Sequence, residues 1–86
     1  MIDNYMLYNN IPTIDLHGND RHTAIYYANE FINDNIKLKN KLVKIVHGKG
    51  EGILKTELHK YLKTKKEVVS YKIDIYNSGT TIVELK

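Results

Sequence analysis

Two short histidine-bearing stretches hold residue types that could handle a phosphate. They are Ile14-Asp15-Leu16-His17-Gly18 and His47-Gly48-Lys49-Gly50-Glu51-Gly52. Asp15 is a candidate general base or ligand for a divalent ion. His17 and His47 are candidate general acids, because imidazole's reference pKa of about 6.5 suits proton transfer near neutrality. Asp15 and His17 stand two apart, so on a strand their side chains share one face. Gly48, Gly50 and Gly52 would let an anion approach the backbone closely, and Lys49 would add a mobile positive charge. Each feature has an ordinary counterpart. A strand-end aspartate often caps its own turn, a single histidine is commonly a turn residue, and a glycine loop can be flexible without binding anything.

The loop matches neither familiar nucleotide fingerprint. No Gly-x-x-x-x-Gly-Lys-Ser/Thr string occurs, and Ile53 stands where a dinucleotide loop needs its third glycine. ATP and NAD are set aside, and no small-molecule cofactor is expected. Magnesium or manganese held by Asp15 and His17 is drawable; so is metal-free hydrolysis by acid–base histidines.

Positioning these residues falls to the elements around them. Thr13-Ile14-Asp15-Leu16 reads as a short strand, and Asn19 or Asp20 can cap the next helix. Ala24, Ile25, Ala28, Phe31, Ile32 and Ile36 mark one face of a helix over about 21–36. Residues 42–46, Leu-Val-Lys-Ile-Val, form the clearest strand. A second helix over about 53–64 has Ile53, Leu54, Leu58, Tyr61 and Leu62 as its buried stripe. Lys55, His59 and Lys63 repeat every fourth residue on another face, expected to be exposed, basic and able to hold a nucleic-acid backbone. In residues 68–76, Val69, Tyr71, Ile73 and Ile75 alternate with Val68, Ser70, Lys72, Asp74 and Tyr76, which predicts a strand. Asn77-Ser78-Gly79 is expected as a tight turn with Gly79 at positive φ, before a last strand over 80–85. The order β-α-β-α-β-β predicts an α/β fold, a two-layer α+β sandwich on a mixed four-stranded sheet that is largely parallel and ends in a hairpin. The turns after the first two strands then share one sheet edge, where ligands of such sheets bind, and both helix N-termini point there. A third strand parallel to them would bring the residue 76–79 turn to the same edge.

Eighty-six residues suffice for one domain, read as 12–86 behind a flexible arm at 1–11 whose Tyr5 and Tyr8 could stack on bases. The absence of cysteine excludes disulfides, thiolate zinc sites and a cysteine nucleophile. No apolar run approaches the roughly 20 residues that span a bilayer, and the start is unlike a secretory signal, so a cytoplasmic protein without a membrane partner is expected. The net charge of +3 conceals an asymmetry. Residues 1–36 hold Arg21 against five acids, whereas residues 37–66 hold ten lysines against Glu51 and Glu57. Such a local excess suits a polyanion, or a merely solubilising lysine face.

The two histidine stretches, about thirty residues apart with a helix between, together with Gly79-Thr80-Thr81-Ile82-Val83-Glu84-Leu85, resemble the Smr (small MutS-related) domain over about residues 12–85. The resemblance implies a fold similar to the C-terminal domain of a bacterial translation initiation factor. It also implies DNA or RNA binding and, in many members, endonuclease activity. The family's Asp-x-His motif falls on Asp15 and His17, and its His-Gly-x-Gly-x-Gly loop on His47, Gly48, Gly50 and Gly52. The chain departs from the family at the short Asn77-Ser78-Gly79, where members often carry a longer, glycine-richer turn. Two readings follow. One is an endonuclease that cleaves or nicks phosphodiester bonds. The other is a non-catalytic nucleic-acid- or ribosome-binding module, alone or as the C-terminal part of a larger MutS-like protein.

Overall fold

In the computed structural model, residues 11–86 are described. The elements are β1 (Thr13–Asp15), α1 (Arg21–Lys37), β2 (Leu42–Val46), α2 (Ile53–Thr64), β3 (Val68–Asp74) and β4 (Asn77–Leu85). The sheet order is β1-β2-β4-β3. β1 and β2 pair in parallel, and β4 runs antiparallel to both neighbours. β1, β2 and β3 therefore point the same way, and their C-terminal ends share one edge. The sheet is less parallel than expected, because β4 inserts between β2 and β3 and leaves β1–β2 as the parallel pair.

Both helices pack on one face. Ala24, Ala28 and Ile32 of α1 and Leu58 and Leu62 of α2 are buried with Leu16, Val43, Ile45, Val83 and Leu85. Small residues on α1 bring it close to the sheet. Between the helices, the Tyr61 hydroxyl donates to Asn29 Oδ1 at 2.6 Å, and Lys65 Nζ donates to Asn33 Oδ1 at 2.7 Å. The opposite sheet face has a smaller cluster in which Ile11 and Leu42 cover Ile82. Ile11 was expected in the flexible arm. It is instead half-buried, because its apolar side chain finds this contact. The rest of the expected arm, with Tyr5 and Tyr8, lies outside the described residues. No helix among the described residues is long and apolar enough to cross a membrane.

The C-terminal hairpin corrects three expectations. Its two-residue loop is Ile75-Tyr76, with Asp74 opposite Asn77, so Asn77-Ser78-Gly79 belongs to β4. Asx-type hydrogen bonds move the turn. Asp74 Oδ1 accepts from the Tyr76 N–H at 2.9 Å, and Asn77 Oδ1 accepts from the Gly79 N–H at 2.9 Å. Ile75 is accordingly 78% exposed rather than on a strand face. Second, Gly79 does not have positive φ. Glycine fits here because space is tight: a Cβ there would lie 3.1 Å from the Gly48 carbonyl carbon and 3.1 Å from Lys49 Cγ. Third, the strict alternation of β3 fails. A register shift between Val68 and Ser70 turns Val69 outward, so Val68 joins Tyr71 against the core.

Candidate nucleic-acid interface

The first loop leaves β1 at Asp15, and a single carboxylate oxygen organises it. Asp15 Oδ1 accepts from the His17 backbone N–H at 3.0 Å and lies 2.7 Å from His17 Nδ1. Hydrogen bonding from the His17 ring and then its backbone holds the Asp15 carboxyl below the usual carboxylate range. A carboxylate can only accept, so Nδ1 carries a proton and Nε2 is left to face a reactant. Both side chains are open, His17 at 68% and Asp15 at 55% exposed. Asp15 thus caps its turn and also orients the imidazole.

The second loop leaves β2 at Val46. Both the His47 and Gly48 N–H groups donate to the Gly79 carbonyl, at 2.8 and 3.0 Å. Gly48 has φ +90°, and a Cβ there would press within 3.2 Å of the His17 Cβ. This position therefore needs glycine twice, for its backbone and for the contact between the two loops. β4 brings Gly79 and Ser78 against the glycine loop.

A cleft of about 520 Å³ lies between the loops, with His17, Arg21, His47, Lys49, Glu51 and Lys55 among its lining residues. Its two helix N-termini are not equivalent. Asp20 caps α1, accepting from the Thr23 N–H at 2.8 Å, so a carboxylate already occupies that end. α2 starts after Gly52, which offers no capping side chain. The anion preference of a free helix N-terminus belongs to α2. Ile53, expected in the buried stripe of α2, is 54% exposed because it sits at the first helical position, on the cleft rim.

His47 has a different environment from His17. It is buried, at 5% exposure. Its Nδ1 lies 3.0 Å from the Gly48 carbonyl oxygen and its Nε2 2.9 Å from Thr81 Oγ1. Thr81 is fully buried, and its hydroxyl also lies 2.8 Å from His59 Nε2. The Gly48 carbonyl can only accept, so His47 Nδ1 donates to it and the neutral His47 Nε2 accepts the Thr81 hydroxyl proton. Thr81 Oγ1 then accepts from His59 Nε2–H. Burial pushes the pKa of both histidines down; Lys55 adds to this for each, and His47 adds to it for His59. The His59 ring packs edge-on against Tyr71, with centroids 4.8 Å apart.

The structure thus joins His17, His47 and the glycine loop around one cleft, with Asp15 bonded to His17. It moves His59 from an expected exposed stripe into a half-buried network, because Thr81 and Tyr71 supply partners. Lys55 and Lys63 remain exposed. Thr81 and Arg21 escaped the sequence reading. Arg21 stands four residues after His17, a signal that was available. Thr81 was hidden because its partners lie 34 and 22 residues away. The lysine-rich stretch also divides. Lys37 ends α1, and Lys39 and Lys41 lie in the connection before β2, the length of a five-residue strand, about 16 Å, from the cleft edge. Among the described residues, no group of three or more His, Cys, Asp or Glu side chains converges as a metal shell.

The Smr domain family matches residues 14–86. Endonuclease MutS2 of Clostridium novyi is 38% identical over 77 residues, covering 86% of this chain and 10% of that protein. Endonuclease MutS2 of Clostridium kluyveri is 39% identical over the same length and shares. The chain thus spans about a tenth of the length of these curated relatives. The Smr domain of Thermus thermophilus MutS2 superposes with a TM-score of 0.86 at 24% identity, covering 88% of this chain and 99% of that one. YdaL, a stand-alone small MutS-related protein from Escherichia coli, superposes at 0.82 with 20% identity, covering 86% and 63%. The fold is that of these structures, and the chain belongs to the Smr domain family.

Proposed function

We propose that this domain binds a DNA or RNA strand across the cleft and cleaves its phosphodiester bonds, with Asp15 and His17 as the reacting pair. The carrying observation is the 2.7 Å contact that holds His17 Nδ1 on Asp15 and leaves Nε2 unengaged, on a residue that lines the cleft. Nε2 takes a proton from an attacking water as the water oxygen bonds to phosphorus. The departing oxygen, in line on the far side, takes a proton from solvent as its bond to phosphorus breaks. Asp15 fixes the ring and stabilises its charged form. Lys49, Arg21 and the free N–H groups at the start of α2 stabilise the charge gathering on the phosphoryl oxygens. His47 acts as a positioning residue: both its ring nitrogens are engaged inside the protein, and it holds the Gly48 carbonyl in place. The strand's other phosphates meet Lys55 and Lys63 without sequence readout.

For a metal, the pair fits poorly. Asp15 Oδ1 already serves two N–H groups of His17, so an ion would meet one carboxylate oxygen and one ring nitrogen. The binding-module alternative draws on one observation. Asp15 also closes its own turn, which a non-catalytic chain would need equally. In that case the domain holds DNA, RNA or a ribosome without cutting.

Cleavage of end-labelled single-stranded RNA and nicking of supercoiled DNA separate the two. Wild type and the Asp15→Asn/His17→Ala double variant are compared with magnesium, manganese or EDTA. Cutting by wild type, absent in a variant that still binds, supports the nuclease. Binding by both proteins without cutting overturns it in favour of the module.

A further inference from the structure

Beyond the glycine loop, α2 and β3 frame a second cleft of about 350 Å³. Lys55, Thr56, His59, Lys60, Lys63 and Tyr71 line it, and no acid does. Lys55 also lines the first cleft, so the two adjoin. Resting on the nucleic-acid reading above, we propose that this second cleft is a phosphate subsite. It takes a phosphodiester further along the strand from the one at the glycine loop, with His59 and Lys63 as its ligands.

The hydroxyl of Thr81 makes this subsite more than a basic patch. Thr81 has one proton to share between two histidines. With His47 neutral, the bonds run from His59 Nε2–H to Thr81 Oγ1 and from the Thr81 hydroxyl to His47 Nε2. Adding a proton at His59 Nδ1 leaves this chain unchanged. Adding one at His47 Nε2 reverses it and requires His59 to be neutral. Charging both would leave the fully buried Thr81 hydroxyl with two donors and no acceptor. The network therefore holds one extra proton, on one histidine or the other. A phosphate in the second cleft draws that proton to His59. His47 is then locked neutral, in the form that grips the Gly48 carbonyl. Filling the second cleft thus firms the loop of the first.

The groups facing His59 and its cleft are Lys55, Lys60 and Lys63 from its own helix, His47 from the end of β2, Tyr71 from β3 and the Thr81 hydroxyl from β4. Of this set the two histidines are the groups that take up protons as pH falls, each with its folded pKa held below the ordinary imidazole value by burial.

The test is the affinity of the whole chain for a short oligothymidylate and its oligouridylate counterpart, measured against pH and salt. Binding by wild type tightens as pH falls, and His59→Gln removes roughly fivefold of that gain. Lys63→Ala lowers the salt slope by about one. Lys63 is exposed, so this variant probes the cleft without touching the core. In spectra of protein carrying ¹⁵N-histidine, the oligonucleotide raises the His59 midpoint and keeps His47 protonated at Nδ1. Thr81→Val uncouples the two titrations, and Thr81→Ser restores the coupling. If His59→Gln and Lys63→Ala bind like wild type at every pH while Lys49→Ala is weakened, the subsite is wrong and the strand-binding reading stands. If wild type binds neither probe, both fall.

Discussion

His17 and His47 face the same cleft and are built for opposite tasks. His17 stands in solvent with one nitrogen braced by Asp15 and the other open. His47 is sealed, one nitrogen on Gly48 and the other on Thr81. A proton-transfer group must reach its reactant, so exposure with one braced nitrogen suits chemistry. A group with both nitrogens engaged suits holding a loop in shape. Under the proposed function, two histidines that look alike in sequence, each before a glycine, divide into an actor and a support.

Breaking the actor has the largest expected effect. Asp15→Asn replaces the acceptor that fixes the His17 tautomer, and cleavage should fall by about 10²-fold or more with affinity retained. A rate assay paired with a binding isotherm checks it. Breaking the support should show in stability instead. Thr81→Val strands the buried His47 Nε2 and should cost about 1–3 kcal/mol. In a domain of this size each kcal/mol lowers Tm by roughly 4–8 °C, which calorimetry resolves.

Acid separates the two regions further. His47 and His59 have folded pKa values below their unfolded ones, so the unfolded chain takes up protons first. Their stability contribution is present above about pH 6.5 and is lost as pH falls through the folded values. Asp15 is lowered from 3.8, so its contribution is present above that pH and is lost at still lower pH. Denaturant melts across this range should therefore show an early loss that Thr81→Val alters and Asp15→Asn does not. The smallest effect distinguishes lysines. Lys49→Ala should lower the salt slope of binding by about one, and Lys39→Ala, at the far edge, should leave it unchanged.

Much of this arrangement was legible in the chain because chemistry-bearing residues follow directly on apolar runs. Asp15 and His17 close β1, and His47 closes β2, so βα geometry alone brings them to one edge. The helix bounds followed from the 3.6-residue spacing of Ala24, Ala28 and Ile32 and from the Asp20 cap. The hairpin loop was not legible, because Ile75 and Tyr76 are poor turn residues and the turn is imposed by Asp74 and Asn77 beside them. The bulge at Val69 was hidden for a related reason, since an extra residue in a strand has no period of its own. Thr81 was the deepest omission. A threonine in a β-branched strand reads as ordinary sheet, and its hydroxyl matters through histidines on other elements.

The most direct measurement is single-turnover cleavage by His17→Ala and His47→Gln, side by side, well below the melting point of each. The account predicts that His17→Ala binds the substrate and does not cut. His47→Gln cuts, at a rate reduced only as far as its loop is loosened. Cutting by His17→Ala at the wild-type rate, with none by His47→Gln, would contradict the division of roles.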